Sequence, residues 1–289
     1  MTILLTGVGG QLAHAIEARL RTTHRVIGLT RRELDVTDDA RVVGAVQELQ
    51  PDVIINGAAY NDVDGAEEDP VAAMAVNAFG VRALGRAAHA VDATLVHFST
   101  DFVFDGTADQ PYTEESTPNP QSVYAMSKLL GEWFATIPKH YVLRVESLFG
   151  GGLQEHSDGR PRGSSLDRIA DAMLAGREVR AFDDRTVSPS YVDDVAHATA
   201  ALLATEAPYG LYHCVGSGLA TWFEVAAELG RRLRLPARVI PVKMDSVTLK
   251  AKRPRFCALS NAKLAHVNIE MPSWQDALTR YAHARLAAS

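Results

Sequence analysis

The sequence predicts an α/β protein: a doubly wound parallel sheet with a smaller C-terminal lobe. Three observations carry this reading. Short apolar runs alternate with amphipathic stretches through the first half, a glycine-rich turn follows the first apolar run, and near Gly150 the chain becomes polar and rich in glycine.

The first run, Thr2-Ile3-Leu4-Leu5-Thr6, passes through Gly7-Val8-Gly9-Gly10-Gln11-Leu12 into an amphipathic stretch, which reads as strand, tight turn and helix. Gly7 permits the sharp turn, Gly10 lets a pyrophosphate approach the backbone, and Ala13 is small enough to seat the helix on the sheet. This is the Rossmann-type pattern. Further strands are expected near 24–29, 52–56, 93–98 and 140–145, with helices near 10–22, 38–49, 69–90 and 121–137. The segment 150–163 is long for a loop inside a compact chain, a length usually tied to function or mobility, and it is taken as the hinge between a dinucleotide-binding domain at 1–148 and a substrate-binding lobe at 149–289. Beyond it the pattern gives a helix near 165–175, a strand near 178–182 and helices near 193–204, 221–234 and 273–287. Segments near 178–205 are expected to return to the first domain. No internal repeat or low-complexity tract interrupts the series.

Composition narrows the function. The chain is 47% hydrophobic and 22% charged, ordinary for a globular protein, and its net charge of −6 argues against a nucleic-acid partner. Two cysteines without a Cys-x-x-Cys, and ten histidines without ligand spacing, point to a reducing compartment and to no metal. Neither a signal peptide nor a stretch able to span a bilayer is found, so no membrane partner and a cytoplasmic location are expected.

The chemistry centres on Tyr124-Ala-Met-Ser-Lys128. Four residues apart on a helix, a phenol and an ammonium share one face, and a cation beside a phenol stabilises its phenolate and lowers its pKa. Alone, the pair also fits a helix surface with an amphipathic tyrosine and a solvated lysine. A third anchor is Ser99-Thr100 after the strand at 93–98, because hydroxyls at the carboxyl end of a parallel strand face the ligand crevice of such folds. Ser99 points the other way if the strand alternation persists. At the end of the strand 24–29 stand Thr30-Arg31-Arg32, with no acid to hold a ribose diol. Arginines there favour a 2′-phosphate and hence NADPH, with NADH the alternative.

With these anchors the chain resembles the extended short-chain dehydrogenase/reductase superfamily and, within it, the dTDP-4-dehydrorhamnose reductases. The motifs that carry the resemblance are Gly7-x-x-Gly10-Gln11-Leu12, Leu34-Asp35-Val36-Thr37-Asp38, Pro51 to Tyr60, Val63-Asp64-x-Ala66-Glu67, Ser99 to Gly106 and Tyr124-x-x-x-Lys128. The resemblance implies that Thr100 binds the ketone oxygen, Tyr124 protonates it as hydride arrives, and Lys128 holds the nicotinamide ribose while lowering the tyrosine pKa. It places Asp35 and Val36 by the adenine, Ala58, Ala59 and Tyr60 by the pyrophosphate and ribose, and Asn77 in the helix beneath the cofactor. Val103, Phe104, Leu148 and Arg253 are implied on the substrate side.

The implied activity is NAD(P)H-dependent reduction of the 4-keto group of a nucleotide-activated deoxysugar, dTDP-4-dehydro-L-rhamnose to dTDP-L-rhamnose being the leading candidate. A nucleotide-sugar epimerase or dehydratase with bound NAD is one alternative. A non-catalytic subunit like the regulatory partner of methionine adenosyltransferase is another. A homodimer is the assembly considered, and the sequence does not set it. The second half departs from the reductase pattern. Where those enzymes carry Arg-Thr-Ser-Trp-Val-Tyr-Gly this chain reads Arg144 to Gly150, with Leu148 read in place of an aromatic beside the sugar. A smaller side chain there would enlarge the pocket, and the loop at 150–163 would close over it.

Overall fold

The computed structural model describes residues 1–151, 154–155, 161–236 and 238–287. Six strands form one parallel sheet, in the spatial order Gly210–His213, His140–Val145, Thr94–Thr100, Val53–Asn56, Thr2–Thr6 and Arg25–Leu29. The central strands are apolar on both faces because helices cover both: Ile3, Leu4, Leu5, Ile54 and Ile55 are fully buried. The switch in strand order falls between Thr2–Thr6 and Val53–Asn56, where the crevice of such a sheet opens at the carboxyl ends. Thr6 Oγ1 donates to Asn56 Oδ1 at 2.8 Å and pins the two strand ends together.

One core lies on the face covered by the helices Gln11–Leu20 and Val192–Ala204, and the other under Asp39–Leu49 and Gly80–Ala90. A third core, built from Phe149, Leu166, Val179, Val225, Leu229, Trp274 and Leu278 among others, belongs to the C-terminal half. There Val179–Phe182 pairs in parallel with Val239–Val242, a strand not read from the sequence. Gly210–His213 was also missed, since four residues containing a glycine and a histidine carry no readable alternation.

The helix read at 69–90 is divided. Val63–Glu68 and Pro70–Met74 are short helices, each capped by an aspartate, Asp62 and Asp69, that accepts a backbone N–H. A π-helical turn, Ala75–Phe79, then leads into Gly80–Ala90. Helix Val123–Ala135 starts at Ser122, whose Oγ accepts from Ala125 N at 3.2 Å. It lies tightly on the π-turn, because a side chain at Gly131 would strike the Asn77 carbonyl oxygen.

Candidate active site

A crevice of about 710 Å³ opens at the switch point and is lined by the turn Gly7–Gln11, by Thr30, Arg31, Arg32, Asp35 and Val36, and by Gly57–Asn61. Its floor admits no side chain at Gly7, which has φ +72°, because a Cβ there would lie 2.5 Å from Ala58 N. The backbone is thereby left bare for a close-approaching phosphate. The donor set and the volume fit a dinucleotide.

The predicted cofactor residues divide in this structure. Gly7, Gly10, Gln11, Arg31, Arg32, Asp35, Val36, Ala58, Ala59 and Tyr60 line the crevice. Leu12 does not: it is 8% exposed and packs into the core beneath the sheet, one turn position away from the opening. Asn77 is buried and acts through Tyr60, accepting from Tyr60 N at 2.8 Å, donating to Tyr60 O at 3.0 Å and donating to Ser127 Oγ at 3.0 Å. It shapes the crevice wall rather than lining it. Asp35 accepts from Arg31 Nε at 3.3 Å and so holds one of the two arginines at the crevice edge. That carboxylate also accepts from Thr37 N at 3.0 Å and from Thr37 Oγ1 at 2.7 Å.

At the next strand end the chain brings Thr100, Tyr124 and Lys128 together, all buried. Strand Thr94–Thr100 runs two residues beyond its predicted end and presents Ser99 and Thr100 to opposite sides. Thr100 Oγ1 donates to Asp101 Oδ1 at 2.9 Å and accepts from Phe102 N at 3.2 Å. Ser99 Oγ donates to Glu132 Oε1 at 2.5 Å. Lys128 Nζ donates to Phe98 O at 2.5 Å, and burial pushes this ammonium down to about 8. For the phenol the structure reverses the expected direction. Burial first, then the Asp101 carboxylate, push Tyr124 upward, while the neighbouring Thr100 hydroxyl pulls the other way. Tyr124 is therefore held neutral, the form able to donate a proton to an alkoxide.

The substrate-side residues need more correction. Val103 and Phe104 are fully buried, Phe104 stacked on Tyr112 at 4.1 Å, because a 3₁₀ turn over Asp101–Val103 rotates them inward. The same turn leaves Phe102 beside Tyr124, ring centroids 5.6 Å apart and edge to face. Phe102 is the aromatic the sequence reading missed, although it lies inside the quoted motif. Arg253 forms a two-pronged pair with Asp64, at 3.0 and 2.8 Å, and so ties the C-terminal half to the helix Val63–Glu68. Leu148 is half-buried against the core, and its carbonyl accepts from Gln11 Nε2 at 3.4 Å. Aligned residue by residue between Arg144 and Gly150, the tryptophan of the reductase pattern falls opposite Ser147, at φ 45°, and not opposite Leu148. The reading of Leu148 as the replaced aromatic is corrected accordingly. The loop expected to close over the sugar lies partly outside the described residues, at 152–153 and 156–160.

Known proteins resemble this chain in sequence and fold. The family model described as the RmlD substrate binding domain matches residues 1–286. The dTDP-4-dehydrorhamnose reductase of Streptomyces griseus is 36% identical over 96% of this chain and 91% of its own length. Among solved structures, a dTDP-4-dehydrorhamnose reductase ortholog from Clostridium acetobutylicum superposes with a TM-score of 0.92 at 32% identity, covering 100% of both chains. The Bacillus anthracis dTDP-4-dehydrorhamnose reductase in complex with NADP gives 0.90 at 30% identity, over 97% of this chain and 98% of the other. The chain belongs to the RmlD substrate-binding domain family.

Proposed function

We propose, from membership of this family and from the buried Thr100, Tyr124 and Lys128 at the mouth of a dinucleotide-sized crevice, that this protein is an NADPH-dependent oxidoreductase. It reduces the 4-keto group of a nucleotide-linked deoxysugar, dTDP-4-dehydro-L-rhamnose to dTDP-L-rhamnose. The observation that carries the reading is the neutral, buried Tyr124 grouped with the buried Thr100 and Lys128 at the carboxyl end of the sheet. The dinucleotide, when bound, supplies the hydride.

The chain's own groups do the rest. The glycine turn Gly7–Gly10 and the strand end Gly57–Tyr60 receive the pyrophosphate, and Asn77 fixes the Tyr60 backbone that faces it. Arg31 and Arg32 meet the 2′-phosphate at the adenosine end. Lys128, on the face of its helix shared with Tyr124, holds the nicotinamide ribose. Thr100 and Tyr124 grip the ketone oxygen, and Tyr124 protonates it as negative charge develops there. Residues 1–148 serve the dinucleotide and 149–289 mainly the sugar nucleotide, with Phe102 and Ser147 where the two meet.

The test is a panel of nucleotide-linked 4-keto sugars assayed by loss of NADPH absorbance, with product stereochemistry read by NMR. Oxidation of NADPH with dTDP-4-dehydro-L-rhamnose and a rhamnosyl product is expected. Retained NAD with no net oxidation of NADPH would replace this reading with an epimerase or dehydratase. A stoichiometric enzyme partner with no reductase activity would replace it with a regulatory subunit.

A further inference from the structure

Behind Thr100 lies a group of buried ionisable side chains that the reduction as derived does not use. An oxygen of Asp101, an oxygen of Glu146 and Cys257 Sγ lie within 4.8 Å of one another. Asp101 is 3% exposed and Glu146 2%. Glu146 Oε2 accepts from Ser188 N at 2.7 Å, while Glu146 Oε1 and Asp101 Oδ2 are buried without a partner. Arg185 closes the group, with Nη2 3.8 Å from Cys257 Sγ and its guanidinium 5.3 Å from the centre of the Phe102 ring. The Cys257 thiol is spent on the Pro254 carbonyl at 3.3 Å.

One cation and two carboxylates share this space, and two carboxylates this close and this dry do not both ionise. Arg185 already supplies the positive charge a metal ion would bring, so the remaining charge calls for a proton. The links onward are in place. Thr100 Oγ1 donates to Asp101 Oδ1 at 2.9 Å, and the same hydroxyl lies close enough to the Tyr124 phenol to pull its pKa down. Glu146 stands where the reductase pattern carries a serine.

We propose that Asp101 and Glu146 hold one proton between them and return it through Thr100 to Tyr124 after each reduction. The step rests on the ketone reduction proposed above. As hydride forms the new C–H bond at the carbonyl carbon, the π pair of the C=O becomes an alkoxide lone pair. The alkoxide takes the Tyr124 proton. Glu146 passes its proton to Asp101, and Asp101 passes one on to Thr100 as Thr100 gives its own to the phenolate. The pair then carries two negative charges beside Arg185 until solvent returns a proton, so no oxidant or reductant is required. Glu146 is the holder at rest: burial, and then the charge of Asp101, push it well above the carboxylate range. Burial pushes Asp101 up as well, but Arg185 and Thr100 pull against it. The groups facing the pair are thus Arg185, Cys257, Thr100, Tyr124 and the Ser188 amide.

The test uses Glu146→Gln, which keeps the shape and can still accept from Ser188, with Glu146→Asp as the conservative rescue. In wild type, kcat falls at alkaline pH as the pair loses its proton. In Glu146→Gln, Asp101 alone beside Arg185 holds a proton less tightly, so the fall moves to lower pH. There kcat should drop about tenfold with KM unchanged, and Glu146→Asp should recover part of it. Independently of turnover, the infrared difference between wild type and Glu146→Gln at neutral pH should contain the carbonyl stretch of a neutral carboxylic acid. An unchanged pH profile in a wild type that does reduce the ketone overturns the relay and leaves the reduction standing. Absence of the neutral-acid band overturns the one-proton pair whatever the enzyme turns over.

Discussion

Ser99 and Thr100 are neighbours on one strand, yet they face two buried charge groups of opposite character. On the Ser99 side, Arg144 meets Glu132 through two parallel bonds of 2.8 Å, Ser99 adds a third, and the guanidinium lies 4.9 Å from the centre of the Phe104 ring. On the Thr100 side, Asp101, Glu146 and Arg185 each keep a buried atom without a partner. A completed group has one arrangement and can only hold; an incomplete one can trade a proton. The difference lies in how the lone pairs are filled, since the carboxylates of both groups are buried.

The comparison breaks most sharply at Tyr124. Tyr124→Phe should lower kcat by about 10²–10⁴-fold, with NADPH affinity measured by fluorescence titration nearly intact, because only the transferable proton is lost. Near-normal turnover would remove the Thr100 side from the chemistry altogether. On the Ser99 side the expected loss is in stability. Glu132→Ala strands Arg144, whose side chain is 2% exposed, and should cost about 3–5 kcal/mol in denaturant unfolding. A loss of activity without a loss of stability would show that Glu132 belongs to the reacting group.

The smaller effects sit farther from this strand end. Replacing Arg31 and Arg32 together with alanine should weaken NADPH about tenfold and NADH little, since only a 2′-phosphate distinguishes the two. Equal loss for both cofactors would show that the arginines read something else. The smallest change expected is with acid. The two bonds from Arg253 hold Asp64 at about 2, below its ordinary 3.8. Its contribution to stability is therefore complete above about 4 and is lost as pH falls towards 2. Unfolding midpoints followed through that window should fall less steeply in Asp64→Asn than in wild type; identical slopes would mean that the pair contributes nothing.

What the sequence made legible was local. Gly7, Tyr124 and Lys128 announce themselves because a strand–turn–helix and a four-residue helical spacing are written in consecutive residues. Arg253 was misread because its partner Asp64 is 189 residues away, and no local pattern records such a pair. Val103 and Phe104 were placed on the substrate side because the apolar run gives no sign of the single 3₁₀ turn that exchanges them with Phe102. Glu146 and Arg185 could be quoted from their motifs but not joined, as only the folded sheet brings them behind Thr100. The positions of the other five strands along the chain were readable, whereas the edge strand Gly210–His213 was too short to signal itself.

The bond from Arg253 to Asp64 also carries a timetable. At roughly 5–20 residues per second of synthesis, the interval between making Asp64 and making Arg253 is on the order of 10–40 s. For most of it, until residues 210–213 are made, the nascent sheet lacks its edge strand Gly210–His213, and throughout it Asp64 waits without its counter-charge. A ribosome stalled late in that interval, after the central strands have been made, holds a crevice whose clasp has not yet been translated.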